Sequence, residues 1–214
     1  MLEIEINNLG KRFSREWIFR GLTINIENAG KFVITGANGS GKSTLLQMIA
    51  GYVLPTEGEV KWKLQTGEII NADSIYKSIS IASPMLELIE EFTPVEIIKH
   101  QRMFKKFQHH FSENELLDIA LLSQHKNKTI KYFSSGMKQR LKLMLAVIAD
   151  APLLLLDEPI INLDKVGVEW YKNLIFNYAN HKTIIVCSNK LTDEYEFCTK
   201  EISIDEYKIP LSKS

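Results

Sequence analysis

Neither sign of charge prevails in this chain: Lys and Arg together number 26, Asp and Glu 26, and the formal net charge is zero. The field of the molecule as a whole offers no long-range pull towards nucleic acid or an anionic surface, so no nucleic-acid partner is expected and electrostatics must act locally. Long hydrophobic runs are missing too. The richest stretch, Leu141 to Leu156, is broken by Lys142, Asp150 and Pro152, and falls short of the ~18 apolar residues that a membrane span requires. Met1-Leu2-Glu3-Ile4-Glu5-Ile6 has no basic region and no continuous apolar core of a signal peptide; it reads as an alternating strand, and a cytosolic protein is expected. Cysteine is scarce. Cys187 and Cys198 have no C-x-x-C spacing and read as reduced structural thiols. His109 and His110 are neighbours, about 100° apart on a helix, which is not the i, i+4 pairing of a zinc site. No internal repeat or low-complexity linker divides the chain.

What is present fits one domain spanning residues 1–214: at 45% apolar content the chain can bury a full core, with room for a small appended lobe but not for a second domain. Leu2, Ile4, Ile6 and then Leu22, Ile24, Ile26 alternate as half-buried strands do, and Lys31 to Thr35 is a third strand. From Ser43 the spacing becomes helical, with Gly51 placed for a left-handed C-cap. Ile79–Ala82 is a further short strand, stopped at Pro84. Thr93-Pro94-Val95-Glu96 and Ser112-Glu113-Asn114-Glu115 each carry a capping box, so helices are expected after both, over roughly residues 94–125. Ile97, Phe104, Phe107 and Phe111 read as a helix's buried side, and the lysines among them as its solvated side. Met137, Leu141, Met144, Leu145 and Ile148 form another apolar stripe, closed by Asp150-Ala151-Pro152. Leu153–Leu156 reads as a central parallel strand covered on both faces, and Thr183–Cys187 and Glu201–Ile204 as the last strands. The interleaving of strands and helices makes the fold α/β with a parallel core sheet.

Gly36-Ala37-Asn38-Gly39-Ser40-Gly41-Lys42-Ser43 follows a strand and opens a helix. That arrangement points backbone N–H groups and a helix N-terminus at one spot, suited to a triphosphate. Lys42 would neutralise the β- and γ-phosphates, and the Ser43 hydroxyl would be one ligand of a hydrated Mg²⁺. Thr44 completes the phosphate-facing run. Leu153-Leu154-Leu155-Leu156-Asp157-Glu158 supplies the other half, since Asp157 at the end of a buried strand can reach a metal beside that loop. Glu158 points elsewhere and can orient or deprotonate an attacking water.

Phe133-Ser134-Ser135-Gly136-Met137-Lys138-Gln139-Arg140 resembles the signature that defines ABC (ATP-binding cassette) ATPases. The phosphate loop near 40, the signature near 135, Asp157-Glu158 and Asn162-Leu163-Asp164 stand in that family's order over nearly the whole chain. The resemblance implies a P-loop nucleotide hydrolase of the ABC type. Its core sheet is then mainly parallel, with an N-terminal antiparallel β part and a helical subdomain inserted at about 94–140. It implies ATP as the bound nucleotide, Mg²⁺ as its metal and ATP hydrolysis as the activity. Two cassettes would pack head to tail, a homodimer being the expected form, with each ATP between one chain's phosphate loop and the other's Ser134, Ser135 and Gly136. Asp164 matches the aspartate that links the two sites. Phe13 falls near the aromatic that stacks on adenine, with a core role for Phe13, or stacking by Trp17, as alternatives.

The resemblance further implies a transmembrane permease subunit docked on the helical lobe and the loop around 83–93, where Leu86, Leu88 and Ile89 offer apolar contact. The chain would then lie in the cytoplasm, on the inner face of the cell membrane, as the energising subunit of a transporter. A non-transporter ABC ATPase, or a binding-only cassette beside an active partner, is the alternative. Two positions depart from the family pattern. Pro84 stands where a metal-contacting glutamine is usual, and Ser188, in Ile184-Ile185-Val186-Cys187-Ser188-Asn189, where a switch histidine is usual. Ser188 or Asn189 can hydrogen-bond a γ-phosphate, but neither becomes cationic. Slow hydrolysis is expected, with Glu158 keeping the chain catalytic.

Overall fold

A computed structural model describes residues 2–208. The N-terminal alternation extends further than the apolar triplets announce: β1 runs Leu2–Phe13 and β2 Glu16–Ile26, joined by a tight turn in which Ser14 has φ 53°. β1 also pairs with β4 (Glu57–Leu64), and β5 (Ile69–Ile70) adds a short edge, giving an antiparallel sheet in the order β2-β1-β4-β5. A second sheet holds β3 (Lys31–Thr35), β6 (Ile79–Ala82), β7 (Leu153–Asp157), β8 (Thr183–Ser188) and β9 (Lys200–Ser203). Its order is β6-β7-β8-β3-β9 and every pairing is parallel.

The run of four leucines in β7 illustrates why this sheet is central. Leu153 and Leu155 face a core shared with the antiparallel sheet and helix α1 (Lys42–Ile49). Leu154 and Leu156 face the opposite core, built with α4 (Ser135–Ile148) and α5 (Lys165–Tyr178). A strand has a side-chain period of two, so a strand covered on both faces is apolar at every position. A third core is helical: α2 (Pro94–Phe104), α3 (Glu113–Ile119) and α4 close around Ile98, Leu116, Leu117, Leu141 and Met144. Both capping boxes form, Thr93 with Glu96 and Ser112 with Glu115. They satisfy backbone amides that a helix start otherwise leaves open.

The apolar side expected along Ile97, Phe104, Phe107 and Phe111 is corrected. Of these four, Ile97 alone is buried within α2; Phe104 is 69% exposed at the helix end, and the chain turns extended at Lys105. Phe107 and Phe111 lie beyond the helix, half-buried against the helical core, and Phe107 forms an isolated bridge with Ala149. Among the described residues no helix is long and apolar enough to cross a membrane.

Candidate nucleotide site

In the parallel sheet β8 lies between β3 and β7, so three adjacent strands release their chains at one edge. β3 leads into Gly36 and the glycine-rich loop, β7 ends at Asp157 with Glu158 next, and β8 ends at Ser188 with Asn189 next. This is the crevice at the carboxyl ends of parallel strands where α/β folds place ligands.

The loop closes by a bond from the Ser40 amide to the Ala37 carbonyl (3.0 Å), with Asn38 and Gly39 exposed at its tip. Gly41 caps α1 with φ 106°, and a Cβ there would stand 2.4 Å from the Ile18 Cγ2, so no other residue fits. The amides of Gly41, Lys42, Ser43 and Thr44 begin the helix and have no carbonyl one turn back to bond, which leaves them for an anion. The Ser40 hydroxyl is buried inside the loop, and among the described residues it has no hydrogen-bond partner. A set of donors with no acceptor is what a polyphosphate requires, and these residues fit it.

Lys42 is buried and its ammonium donates to the carbonyls of Gly36 (2.8 Å) and Ala37 (3.0 Å) and to Asn189 Oδ1. The Asn189 Nδ2 donates in turn to Glu158 Oε1 at 2.6 Å. Glu158 takes a left-handed backbone, φ 46°, and its amide donates to the Cys187 carbonyl. Beside it, Asp157 is buried between two hydroxyls: Ser43 donates to Oδ1 (3.2 Å) and Ser83 to Oδ2 (3.3 Å). Burial raises the Asp157 carboxyl above the ordinary aspartate range, partly offset by those two hydrogen bonds. A buried carboxylate and a hydroxyl side by side form an oxygen donor set suited to a hard divalent cation. Cys187 lies beneath the loop, its thiol on the Lys42 carbonyl and pushed well up by burial, and burial pushes Cys198 up to about 12. Both are inert thiols.

Ser188 does not take part as expected. Its side chain is wholly buried, its hydroxyl accepting from the Leu191 amide and bonding the Glu194 carboxyl. Asn189, one residue on, turns into the site instead. Pro84 is exposed, while Ser83 before it reaches Asp157. Ser83 was not legible as a site residue; a hydroxyl next to the misplaced proline was its only trace.

The remaining candidates lie apart from this cluster. Ser134 caps α4, its hydroxyl accepting from the Met137 amide, and Ser135 beside it is exposed; Gly136 follows, with the Asn162 carbonyl 3.0 Å from where a Cβ would stand. Among the described residues no hydrogen bond or ion pair joins these three to the phosphate loop. Asp164 caps α5 by accepting from the Gly167 amide (2.7 Å). Phe13 is 51% exposed at the end of β1, with the Lys11 ammonium 4.9 Å from its ring centre, so it is not a core residue. Trp17 is covered by the guanidiniums of Arg12 and Arg20 and packs beside Gly10.

A glycine-rich phosphate loop on a parallel sheet, with a carboxylate pair at the end of the second strand away, defines a P-loop nucleotide-binding cassette. The ABC transporter family model matches residues 19–161, and the chain belongs to that family. It is an ATP-binding ATPase subunit that energises a membrane transporter. The uncharacterized ABC transporter ATP-binding protein YybJ of Bacillus subtilis (strain 168) is 28% identical over 98% of this chain and 96% of its own length. The lantibiotic transport ATP-binding protein SrtF of Streptococcus pyogenes is also 28% identical, over 98% of this chain and 90% of its own. The dimeric structure of MJ0796, a bacterial ABC transporter cassette, superposes with a TM-score of 0.77 at 23% identity, over 94% of each chain, which shows the shared fold.

Proposed function

We propose that ATP is held with its triphosphate against Lys42, Ser43, Thr44 and the amides of Gly39, Ser40 and Gly41, beneath the glycine-flanked mouth formed by Gly36 and Asn38. The observation that carries the reading is the side-by-side pairing of Ser43 with Asp157 and of Lys42, through Asn189, with Glu158. Ser43 and Asp157 would hold Mg²⁺, with Ser83 keeping the carboxylate oriented. Bound there, the cation supplies charge neutralisation on the β- and γ-phosphates. Glu158 takes a proton from the attacking water as the general base. Phe13, the exposed aromatic at the neck of the β1–β2 hairpin, stacks on adenine.

The working unit of this reading is a head-to-tail pair of cassettes. The exposed Ser134 and Ser135 and the half-buried Gly136 of one copy face the phosphates bound by the other, and Asp164 lies between the two sites. The whole chain, 1–214, acts as one domain with its helical subdomain at about 94–140. A transmembrane permease docks in the groove between β6, α2 and α4, a cavity of about 280 Å³ lined by Tyr52, Leu86, Leu88, Lys105 and Lys142 among others. The protein then sits in the cytoplasm on the inner face of the membrane. One relative is named for lantibiotic transport, which supports a transport role for such a subunit.

Labelled-ATP binding and phosphate release test this reading. Lys42→Ala should weaken ATP binding at least 100-fold, and Glu158→Gln should keep binding while lowering phosphate release by roughly 10²-fold or more. Parental ATP affinity in Lys42→Ala, or parental turnover in Glu158→Gln, would overturn the corresponding assignment.

A further inference from the structure

Between Glu96 and Glu113 the chain carries Lys99, Arg102, Lys105, Lys106, three histidines and no acid, on a molecule of zero net charge. Both flanking glutamates are engaged, Glu96 in the capping box with Thr93 and Glu113 with Arg102 at 2.7 Å. The fold gathers the cations. α2 ends at Phe104, the chain runs extended at Lys105, and a left-handed residue at His109, φ 57°, bends it beside the helix end. A cavity of about 400 Å³ opens there, lined by Arg102, Lys105, Lys106, His109 and His110 between the rings of Phe107 and Phe111, with no acid in its wall. Arg102 braces it: the guanidinium lies 5.5 Å from the centre of the Phe107 ring and donates to the Phe111 carbonyl. Lys105 donates to the Tyr76 carbonyl at 2.9 Å. Among the described residues the Lys106 ammonium and the His110 imidazole have no hydrogen-bond or ion-pair partner. Beside these charges Met103 is 77% and Phe104 69% exposed, and Lys99, one turn before Met103, shares its side of α2.

We infer that the end of α2 and the turn after it rest on an anionic phospholipid surface, with Met103 and Phe104 among the headgroups, Lys99 and Lys106 beside lipid phosphates and one headgroup in the cavity. Large apolar side chains next to unpaired ammonium groups are what such a surface takes, since the former enter the headgroup boundary while the latter meet its charge. A soluble anion would answer the charges and leave Met103 and Phe104 in water. Because the molecule as a whole is neutral, the attraction belongs to this face alone and acts over about a Debye length, ~10 Å at 0.1 M salt. Lys105 lines both this cavity and the groove proposed for the permease, so a permease seated in that groove brings this end of the lobe towards the bilayer. To that extent the inference rests on the docking reading, but lipid binding by the isolated chain needs no permease.

Flotation of the full chain with vesicles of phosphatidylcholine, alone or with about one-third phosphatidylglycerol, is the test. At about 0.1 M salt the parent should partition onto the anionic vesicles at least tenfold more strongly than onto the neutral ones, and about 0.5 M salt should erase most of that preference. Lys106→Glu, which reverses one charge at the surface, should weaken binding at least tenfold. Phe104→Ser should weaken it roughly tenfold and leave the salt dependence as it is, because an apolar contact is lost and no charge. Both side chains are exposed, so each variant should keep the parent's urea midpoint and its ATP turnover within about twofold. Equal binding of the parent to neutral and anionic vesicles, or parental binding by either variant, would overturn the inference. Copurification of the permease separates the two layers. If the parent ignores anionic vesicles while Lys106→Glu and Phe104→Ser lose the permease, the patch is a protein interface and the lipid assignment falls. If the vesicles bind as expected while Lys105→Glu keeps its permease, the docking assignment falls alone.

Discussion

Glu194 is a buried carboxylic acid near the site that takes no part in it. Burial raises its carboxyl to about 7, with Glu158 and Asp157 adding to the rise, against hydrogen bonds from Ser188 and the Ile160 amide. Among the described residues one of its oxygens, Oε2, has no hydrogen-bond partner. An unfolded chain titrates this group near its ordinary 4.5, so between about 4.5 and 7 the folded form binds the extra proton. Its contribution to stability is therefore lost as pH rises through that window. Glu194→Gln imitates the protonated form. Urea unfolding from pH 4.5 to 8 should show the variant flat where the parent declines, with the parent less stable above pH 7 by up to about 3 kcal/mol.

The same part of the chain shows what one sequence conceals about its site. The phosphate loop was legible because all its donors lie between residues 36 and 44, in one local strand–loop–helix. Asp157 and Glu158 were legible because an apolar run ending in two acids is local as well. The bridge from Lys42 through Asn189 to Glu158 depends on β8 lying between β3 and β7, and nothing near residue 189 states that order. Whether Ser188 or Asn189 faces the crevice turns on a shift of one residue at the end of a strand, where successive side chains point to opposite sides.

Among the strands, β7 and β1 make opposite demands. Leu154 and Leu155 are both fully buried, in different cores, so Leu154→Ala and Leu155→Ala should each cost roughly 2–5 kcal/mol in urea unfolding. On β1, from Leu2 to Ile6, only alternate positions behave so. Ile4→Ala should cost a similar amount, whereas Glu5→Ala, which loses a partly exposed ion pair with Lys63, should cost less than about 1 kcal/mol. Both helix starts in the lobe were legible from their capping boxes, and Thr93→Ala should destabilise the protein by about 1 kcal/mol in the same assay. The end of α2 was not legible. Phe104, Phe107 and Phe111 mimic a helical stripe, but Lys105 turns extended and Phe107 is drawn into a bridge with Ala149, some forty residues away, a tertiary contact that overrides the local period.

The groove between the helical lobe and β6 is the proposed docking place of the permease. Two half-buried ammonium groups line it. Burial lowers Lys105 to about 8 and lowers Lys142 as well, Lys105 donating to the Tyr76 carbonyl and Lys142 to that of Ser83. Among the described residues neither forms an ion pair. A permease segment carrying a carboxylate among apolar side chains would relieve that desolvation. Lys105→Glu should reduce copurification of the permease from detergent-solubilised membranes at least tenfold, while ATP turnover of the isolated chain stays within about twofold of the parent.

Ile18 of β2 stands so close over Gly41 that a single added methyl carbon would collide with it, and β2 is one arm of the hairpin whose neck displays Phe13. With Phe13 stacked on adenine as proposed, the purine and the phosphates would be held from one mount. A tilt of the hairpin under a mismatched base would then reach the start of α1 through Ile18, giving nucleotide selectivity by leverage.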